Sequence, residues 1–465
     1  MRDGLKQHAP RLALIAIISL GLALRIAAAQ GGLWLDEAWS AKLAQEAGTP
    51  IGIFLNINHD NNHHLNSLWM QLVGFDAAPM VQRALSIVTG TLAIWVAARI
   101  AAPRGAIAML VAATLFALSP ALVTYGSEAR GYAPMVLALL IAVLLVDRWL
   151  AGSEDEAVRR RLALCFALGA LSQLTMVFGC VALVGWCWFV LARRSSVIAA
   201  TVATLRLFAP ALVALLFVLG SMAAAALAST TGFQFGRYEP FEFLLFLHGL
   251  IEMLGYAIGF PLVSLLILAV AAAAVVLARG ADTARFHFHW IAILAFPIAM
   301  AVLRAGNVGN PRYFMLAAVA LLLLLGELIA HGLVARGWRG ALAAGVLVAM
   351  IGGSVVQDVD LIRNQRGDPA AAIRAMQARA PGGATIVLER DTGVAMVETA
   401  AAHAQYPLTL AARGCPAPRF LVVDRFKGEA LPATATLCGK RYALLASRLA
   451  HGMSGTHWAV FEVTR

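Results

Sequence analysis

Long apolar segments recur through the first three quarters of this chain, and they constrain its fold more than any other feature. Apolar segments of roughly 17–25 residues cross the ~30 Å hydrocarbon core of a bilayer as helices, in which every backbone polar group is hydrogen-bonded. We expect about eleven spans, at residues 12–29, 81–100, 106–123, 133–150, 162–178, 181–191, 207–228, 254–277, 290–303, 314–331 and 341–356. The fifth and sixth segments form either two spans or one re-entrant hairpin.

Composition agrees with this pattern. Hydrophobic residues make up 61% of the chain, charged residues make up 13%, and the mean hydropathy is +0.78. A chain of this composition is too apolar to bury its surface in one soluble core. The sequence therefore predicts an α-helical polytopic membrane protein surrounded by membrane lipids.

Positive residues are distributed unequally between the two sets of loops. Sixteen Arg and Lys residues fall in one set, whereas the opposite set contains six: Lys42, Arg83, Arg130, Arg237, Arg304 and Arg312. Cytoplasmic loops keep the excess of positive charge, which predicts a cytoplasmic N-terminus in a bacterial-type inner (plasma) membrane. The net charge of +11 is then topogenic, and we expect no nucleic-acid partner.

The last hundred residues differ in character from the rest, because Gly, Pro and charged residues return. We expect a transmembrane domain at residues 1–357 and a small extracytoplasmic (periplasmic) α/β domain at residues 358–465. Strands are predicted at residues 385–388, 419–423, 442–445 and 457–463, with a helix at residues 369–379. Cys415 and Cys438 lie in this domain, where a disulfide is one of two open alternatives.

Polar residues concentrate in four loops on the predicted outer side. Asp36 and Glu37 follow the first span directly, between Trp34 and Trp39. The other three loops are residues 56–66, which are rich in Asn and His, residues 125–132 and residues 304–313. A simple connector gains nothing from two adjacent carboxylates at a membrane interface, so we interpret this face as the site of chemistry.

Four motifs in these loops carry a resemblance: Trp-Leu-Asp-Glu-Ala at 34–38, Asn-His-His-Leu at 62–65, Ser-Glu-Ala-Arg-Gly-Tyr-Ala at 127–133 and Pro-Arg-Tyr-Phe at 311–314. In order and spacing they resemble the GT-C superfamily of membrane glycosyltransferases. The branch of the protein O-mannosyltransferases and lipid A aminoarabinose transferases (glycosyltransferase family 39-like) is the most similar. The resemblance implies a GT-C fold that takes a sugar from a polyprenyl-phosphate carrier at the outer face.

The resemblance also implies that an acidic residue of the first outer loop is the base, which predicts Asp36, with Glu37 as a second catalytic residue that orients Asp36 or binds the acceptor. Adjacent carboxylates are expected to raise the pKa of one of them. Donor phosphate and sugar are predicted to contact Arg130, Arg312, Tyr132, Tyr313, Glu128, His63, His64 and Asn66. The acceptor is a hydroxyl of a protein, lipid or polysaccharide.

General chemistry supports this assignment. A carboxylate within hydrogen-bond reach takes the acceptor proton during attack on the anomeric carbon, and one-step displacement inverts the configuration. The leaving phosphate needs positive charge, and the planar guanidinium of arginine matches phosphate oxygens. Arg130 and Arg312 each lie at the outer end of a span beside a tyrosine.

Other interpretations remain for several of these residues. Asp36 is alternatively a helix N-cap, Glu128 pairs with Arg130, and Arg25 extends to the lipid headgroups. His59, Asp60 and His63 are the less favoured candidates for a divalent metal site, since no cofactor is required by the predicted chemistry. At the level of the whole chain, the alternatives are a transporter or flippase of lipid-linked sugars and an inactive scaffold.

Overall fold

The computed structural model describes residues 2–152, 156–230, 232–234, 238–261, 263–281 and 285–464. Arg237, one of the six positive residues assigned to the outer loops, lies outside these ranges. Most of the described chain is helical, and one β-sheet lies near the C-terminus.

Twenty α-helices lie in the described ranges. They are α1 (Arg2–Ala28), α2 (Leu35–Glu46), α3 (Pro50–Leu55), α4 (His64–Val73), α5 (Pro79–Gln82), α6 (Ala84–Ala101), α7 (Ala106–Leu118), α8 (Pro120–Tyr125), α9 (Tyr132–Leu150), α10 (Glu156–Ser172), α11 (Met176–Ala192), α12 (Val197–Ala228), α13 (Phe243–Ile258), α14 (Ser264–Leu277), α15 (Phe286–Trp290), α16 (Phe296–Val302), α17 (Met315–Ala335), α18 (Gly337–Asn364), α19 (Ala370–Arg379) and α20 (Val394–His403). A π-helical turn, Ile291–Ala295, joins α15 to α16.

Within the described chain, six helices are long and apolar enough to cross a membrane: residues 8–28, 84–104, 132–150, 197–228, 311–335 and 337–367. Five further apolar helices are shorter, at residues 106–118, 176–192, 243–258, 265–277 and 286–302. The prediction of a multi-pass helical membrane protein is therefore confirmed. The helices α10 and α11 have 17 residues each, about 26 Å, which favours two crossings over a short hairpin.

The prediction of one continuous helix over residues 254–277 is wrong. Helix α13 ends at Ile258, and Gly259 adopts a left-handed conformation with φ of 88°. Pro261 follows two residues later, so the helix cannot continue until α14 begins at Ser264. A Cβ atom on Gly259 would approach Ser354 N of α18 to 2.5 Å, so glycine also allows α13 and α18 to meet closely.

The prediction that Arg25 of α1 extends to the lipid headgroups is wrong, because the residue is 1% exposed within the bundle. Its guanidinium donates to Phe116 O at 3.1 Å and to Ala117 O at 3.4 Å, at the C-terminal end of α7. In a continuous helix Phe116 O would accept from residue 120, but Pro120 has no N–H. Arg25 therefore satisfies carbonyl oxygens that the break between α7 and α8 leaves without helical partners.

Residues after α18 form a six-stranded mixed sheet with the order β2-β1-β3-β6-β5-β4. Its strands are β1 (Ala384–Leu388), β2 (Leu408–Leu410), β3 (Phe420–Arg425), β4 (Ala435–Leu437), β5 (Lys440–Arg448) and β6 (His457–Val463). The four predicted strands correspond to β1, β3, β5 and β6, and the predicted helix corresponds to α19. Strands β2 and β4 and helix α20 were not predicted from the sequence. A disulfide joins Cys415 and Cys438.

The sheet domain shares one hydrophobic core with the first loop region. Ala38 and Ala41 of α2 pack in the same buried cluster as Ile373 of α19, Met396 of α20 and Trp458 of β6. Because α2 carries Asp36, this shared core fixes the position of the proposed base relative to the C-terminal domain. Helix α18 continues to Asn364, past the predicted domain boundary at residue 357.

Buried charge clusters lie at both ends of α9. Near its C-terminus, Asp147 accepts from Arg285 at 2.7 Å, and Arg285 also pairs with Glu327 of α17. At its N-terminus, Tyr132 adjoins Arg130 and the polar loops. With 1.5 Å per residue, the two clusters are separated by about 23 Å along the helix. All four predicted polar loops belong to the Tyr132 end of the bundle.

Candidate active site

Asp36 and Glu37 occupy the first turn of α2, where carboxylates interact favourably with the positive end of the helix dipole. Neighbouring residues on a helix point about 100° apart, so the two side chains diverge. Glu37 points into the protein, whereas the side chain of Asp36 remains 20% exposed. Asp36 and Glu37 are therefore adjacent in sequence but have different environments and different partners.

The carboxylate of Asp36 accepts hydrogen bonds from two guanidinium groups on the same oxygen, Oδ2. One donor is Arg130 from the loop before α9, and the other is Arg312 from the turn before α17. Burial alone would raise the pKa of Asp36, but the charges and hydrogen bonds of both arginines outweigh it, so the pKa lies below its usual value. Three distant segments thus meet at one carboxylate.

Arg130 is held on several sides. Its Nη2 donates to Asn61 Oδ1 at 2.9 Å and to His63 Nε2 at 3.0 Å. His63 in turn donates from Nδ1 to Ser172 O at 3.0 Å, which fixes the tautomer that leaves Nε2 as the acceptor. Burial and the Arg130 charge keep the pKa of His63 well below its usual value. His63 is therefore a neutral acceptor that orients Arg130.

Arg312 has a more open environment, since its side chain is 24% exposed. Its guanidinium lies over the ring of Tyr313, with 5.8 Å to the ring centroid. Arg130 lies 5.4 Å from the ring centroid of Tyr132, which also contacts Tyr125 at 4.7 Å. The predicted residues Arg130, Arg312, Tyr132 and Tyr313 thus adjoin Asp36 in space.

Glu37 forms a fully buried ion pair with Arg83, which donates to it from Nε at 2.8 Å and from Nη2 at 2.6 Å. The backbone N–H groups of Ala129 and Trp34 donate to the same carboxylate. Burial alone would raise the pKa of Glu37, but Arg83 holds it below its usual value. The expected raised pKa is therefore wrong for both carboxylates, because each one has arginine partners.

The sequence suggested an ion pair between Glu128 and Arg130, but the structure pairs Glu128 with Arg366. Its Oε1 accepts from Arg366 Nε at 3.0 Å, and both residues are fully buried. Arg366 follows α18 and also donates to Ala28 O, Thr124 O and Ser127 Oγ. Glu128 therefore joins the C-terminal domain to the loop that carries Arg130, and it is not among the hydrogen-bond partners of Asp36.

His64 and Asn66 are buried in α4. Asn66 donates to Ala129 O at 2.7 Å, and the His64 ring lies 5.0 Å from that of Phe54. Burial lowers the pKa of His64 to about 4. These contacts support the loops of the site, and neither residue is among the partners of Asp36.

The metal candidates do not converge. His59 lies beside Asp60, with 2.9 Å between Nδ1 and Oδ1, whereas the ring of His63 is engaged by Arg130 and Ser172. Across the described ranges, no three His, Cys, Asp or Glu residues form a group that would hold a metal ion.

Arg83, Asn61, Ser172 and Arg366 were missed as parts of the site. Arg83 had a signal, since it precedes a membrane span on the side that contains few positive residues. Asn61 belongs to the Asn-rich loop that the sequence analysis singled out. Arg366 and the Ser172 carbonyl had no local signal, because their partners are 238 and 109 residues away.

No protein family and no curated protein matches the chain in sequence. Solved structures do match its fold. ArnT from Cupriavidus metallidurans in the apo state aligns with a TM-score of 0.57 at 13% identity, over 97% of this chain and 98% of that chain. ArnT bound to undecaprenyl phosphate gives 0.51 at 14% identity, over 96% and 97%. The archaeal oligosaccharyltransferase AglB from Archaeoglobus fulgidus, in complex with an inhibitory peptide and a dolichol-phosphate, gives 0.53 at 12% identity, over 90% and 70%.

This chain has the GT-C fold. The predicted fold class and the predicted resemblance are therefore confirmed. At 12–14% identity the similarity concerns the fold, so the chemistry of this GT-C chain has to be argued from its own residues.

Proposed function

We propose that this GT-C chain is a membrane glycosyltransferase that moves a sugar from a polyprenyl-phosphate donor to an acceptor hydroxyl. Asp36 is the general base, and Arg130 and Arg312 supply the positive charge that the leaving donor phosphate needs. The observation that carries the proposal is the meeting of one partly exposed carboxylate with two arginines from separate segments, the loop before α9 and the turn before α17. The ArnT and AglB structures with bound polyprenyl phosphates support this choice of donor.

The chemistry proceeds in one displacement. The acceptor oxygen attacks the anomeric carbon, the bond from that carbon to the phosphate oxygen breaks, and the phosphate leaves with the electron pair. Asp36 takes the acceptor proton, and the guanidinium groups stabilise the charge that develops on the phosphate. Attack opposite the leaving group inverts the anomeric configuration. Tyr132 and Tyr313 are proposed to line the sugar site, because each adjoins one of the arginines.

Glu37 and Glu128 receive a different role. Each is fully buried in an ion pair with an arginine that also binds backbone carbonyl oxygens. We assign them to the support of the loops around Asp36 rather than to the reaction itself. His63 and Asn61 support the reaction through Arg130.

We place the site on the extracytoplasmic face of a bacterial-type plasma membrane. Support comes from the unequal distribution of Arg and Lys and from the disulfide between Cys415 and Cys438 in the domain that packs on α2. Disulfides persist in oxidising compartments, which the extracytoplasmic side provides. The acceptor is then an envelope component, namely a protein, a lipid or a polysaccharide.

The test is sugar transfer in membranes that contain the protein. Radiolabelled polyprenyl-phosphate sugars are supplied, and label is followed from the lipid extract to an acceptor. Asp36→Asn is expected to reduce transfer by roughly 10²- to 10⁴-fold, because the base is lost. Asp76→Asn is the matched control, since Asp76 is an exposed aspartate after α4. Full turnover in Asp36→Asn would refute the assignment of the base.

A flippase of lipid-linked sugars is the second candidate, favoured by the breaks between α7 and α8 and between α13 and α14. Broken helices frequently line transport sites. Here Arg25 binds the carbonyl oxygens at the first break, which gives that break a structural explanation. Reconstituted vesicles that move a lipid-linked sugar between leaflets without transferring it would favour the flippase.

A further inference from the structure

We propose that donor binding activates the base: the donor phosphate takes Arg312 away from Asp36, while Arg130 remains in place. This inference rests on the proposed function and assigns different tasks to the two arginines. Arg130 is the fixed contact of the site, and Arg312 is the movable one. The base then becomes free when the donor is present.

Asp36 and a donor phosphate would compete for the same arginine N–H groups. Both arginines donate to Asp36 Oδ2, and a phosphate would accept from these guanidinium groups. A carboxylate oxygen that accepts two charge-assisted hydrogen bonds has little capacity to receive a proton. The low pKa of Asp36 has the same cause. Some of these bonds therefore have to break before Asp36 acts as a base.

The two arginines differ in burial and in the number of hydrogen bonds that hold them. Arg130 is 3% exposed, and besides Asp36 it donates to Asn61 and His63, so a rotation would break several buried hydrogen bonds. Among the described residues, by contrast, Asp36 is the one hydrogen-bond acceptor of the Arg312 side chain. Arg312 is also the more exposed side chain, so its movement leaves fewer buried groups unsatisfied.

The charges of Asp36, Arg130 and Arg312 do not cancel. Two guanidinium groups and one carboxylate leave one positive charge in excess at this point, which attracts an anion. When the phosphate accepts from Arg312, Asp36 keeps Arg130 as its single cationic partner. Asp36 then gains capacity for the acceptor proton, and Arg312 stays with the phosphate as the bond to the sugar breaks. Thermodynamic linkage requires the reciprocal effect, namely that Asp36 weakens phosphate binding.

Binding of undecaprenyl phosphate to the full-length protein in nanodiscs tests this competition. We expect Asp36→Asn to bind this lipid about tenfold more tightly than wild type, because Arg312 no longer has to be released. Arg312→Gln is expected to bind it at least tenfold more weakly. Undecaprenyl phosphate that does not bind wild type at any concentration reached would overturn the inference.

A double-mutant cycle separates release of Arg312 from a general loss of negative charge. If Asp36 competes specifically for Arg312, Asp36→Asn gives no tighter binding when Arg312→Gln is already present. A tenfold gain that persists in the Arg312→Gln background would show simple repulsion between Asp36 and the phosphate, and the inference would be wrong. Arg312→Lys keeps the positive charge, so in this background Asp36→Asn is expected to give part of the tenfold gain in binding. Lipid binding by Arg312→Lys also shows that a protein altered at position 312 folds.

The pH dependence of transfer gives an independent measurement. The profile of kcat/KM reports the free protein, and that of kcat reports the complex with bound substrates. Release of Arg312 in the complex predicts that the acid limb of kcat lies about one pH unit above that of kcat/KM. Coincident limbs would contradict the inference while leaving the glycosyltransferase itself established. Absence of any transfer would instead count against the proposed function.

Discussion

Replacement of Glu37 by Gln is expected to destabilise the protein strongly while conserving side-chain volume. The carboxylate of Glu37 accepts two hydrogen bonds from Arg83 and one each from the backbone N–H groups of Ala129 and Trp34. Arg83 is fully buried, so solvent cannot compensate for the loss of this charge. Removal of one partner from a buried ion pair costs about 3–5 kcal/mol of unfolding free energy.

Glu46→Gln is the matched control, because Glu46 lies on the same helix, α2. Its side chain is 55% exposed, and its ion pair with Lys42 at 3.4 Å spans one helical turn. Such a pair contributes about 0.3–0.5 kcal/mol, so the two substitutions should differ about tenfold in effect. Unfolding in mixed micelles, followed by the fluorescence of the ten tryptophans, measures both variants.

Equal stability of the two variants would refute the view that Glu37 is a structural residue. The pH dependence adds a check. The pKa of Glu37 is lowered in the folded protein, so its stabilising contribution is present above about pH 4.3, the value for an unfolded chain, and disappears as the pH falls through the folded value. The difference between wild type and Glu37→Gln should thus be constant down to about pH 4.3. A stable Glu37→Gln protein with a hundredfold loss of turnover would instead indicate a catalytic residue.

Three further predictions concern the helix break, a buried histidine and the topology. Arg25→Met should cost about 1–3 kcal/mol of unfolding free energy, because the carbonyl oxygens at the end of α7 lose their donor. Adding Pro120→Ala should recover part of this free energy, because alanine restores a backbone N–H. If stability does not recover, this explanation of the helix break is wrong. Since the pKa of His64 is about 4, the unfolded chain binds a proton between pH 6.5 and 4 that the folded protein does not. The free energy of unfolding should therefore fall by up to about 3 kcal/mol as the pH falls through this range. His64→Gln should flatten the dependence of unfolding free energy on pH, and an unchanged dependence would refute this role of His64. An impermeant maleimide should label Glu46→Cys on intact cells and Arg194→Cys after permeabilisation, since the three free cysteines are buried, and the reverse pattern would refute the orientation.

Much of the fold was predictable because the bilayer imposes a length on apolar segments. The predicted segments overlap helices of the structure, although those at residues 106–123 and 162–178 also cross a break between two helices, and the largest error was the continuous helix at residues 254–277. There the sequence contained the stop signal, Gly259 followed by Pro261, but uniformly apolar flanks concealed it. In a membrane protein, hydropathy reports immersion and says little about helix continuity.

The site was predictable in part for a different reason. Asp36 stands out because two adjacent carboxylates follow the first span, and Arg130 and Arg312 stand out because the outer loops contain few positive residues. Their pairing was not predictable, because it depends on contacts across 94 and 276 residues. The partners of Glu37 and Glu128 were also not predictable. Adjacency in sequence suggested Asp36 and Arg130, but the two side chains pair with Arg83 and Arg366 instead.

The buried pair of Glu128 with Arg366 has a consequence for biogenesis. Translation delivers Glu128 to the membrane more than two hundred residues before Arg366, and until then this carboxylate lacks the cation that neutralises it. Arg366 also binds the ends of α1 and α8, so its arrival completes three early segments at once. We therefore expect the loops around Asp36 to reach their final arrangement late, and we expect a polypeptide that ends before residue 366 to be degraded by quality-control proteases rather than to fold.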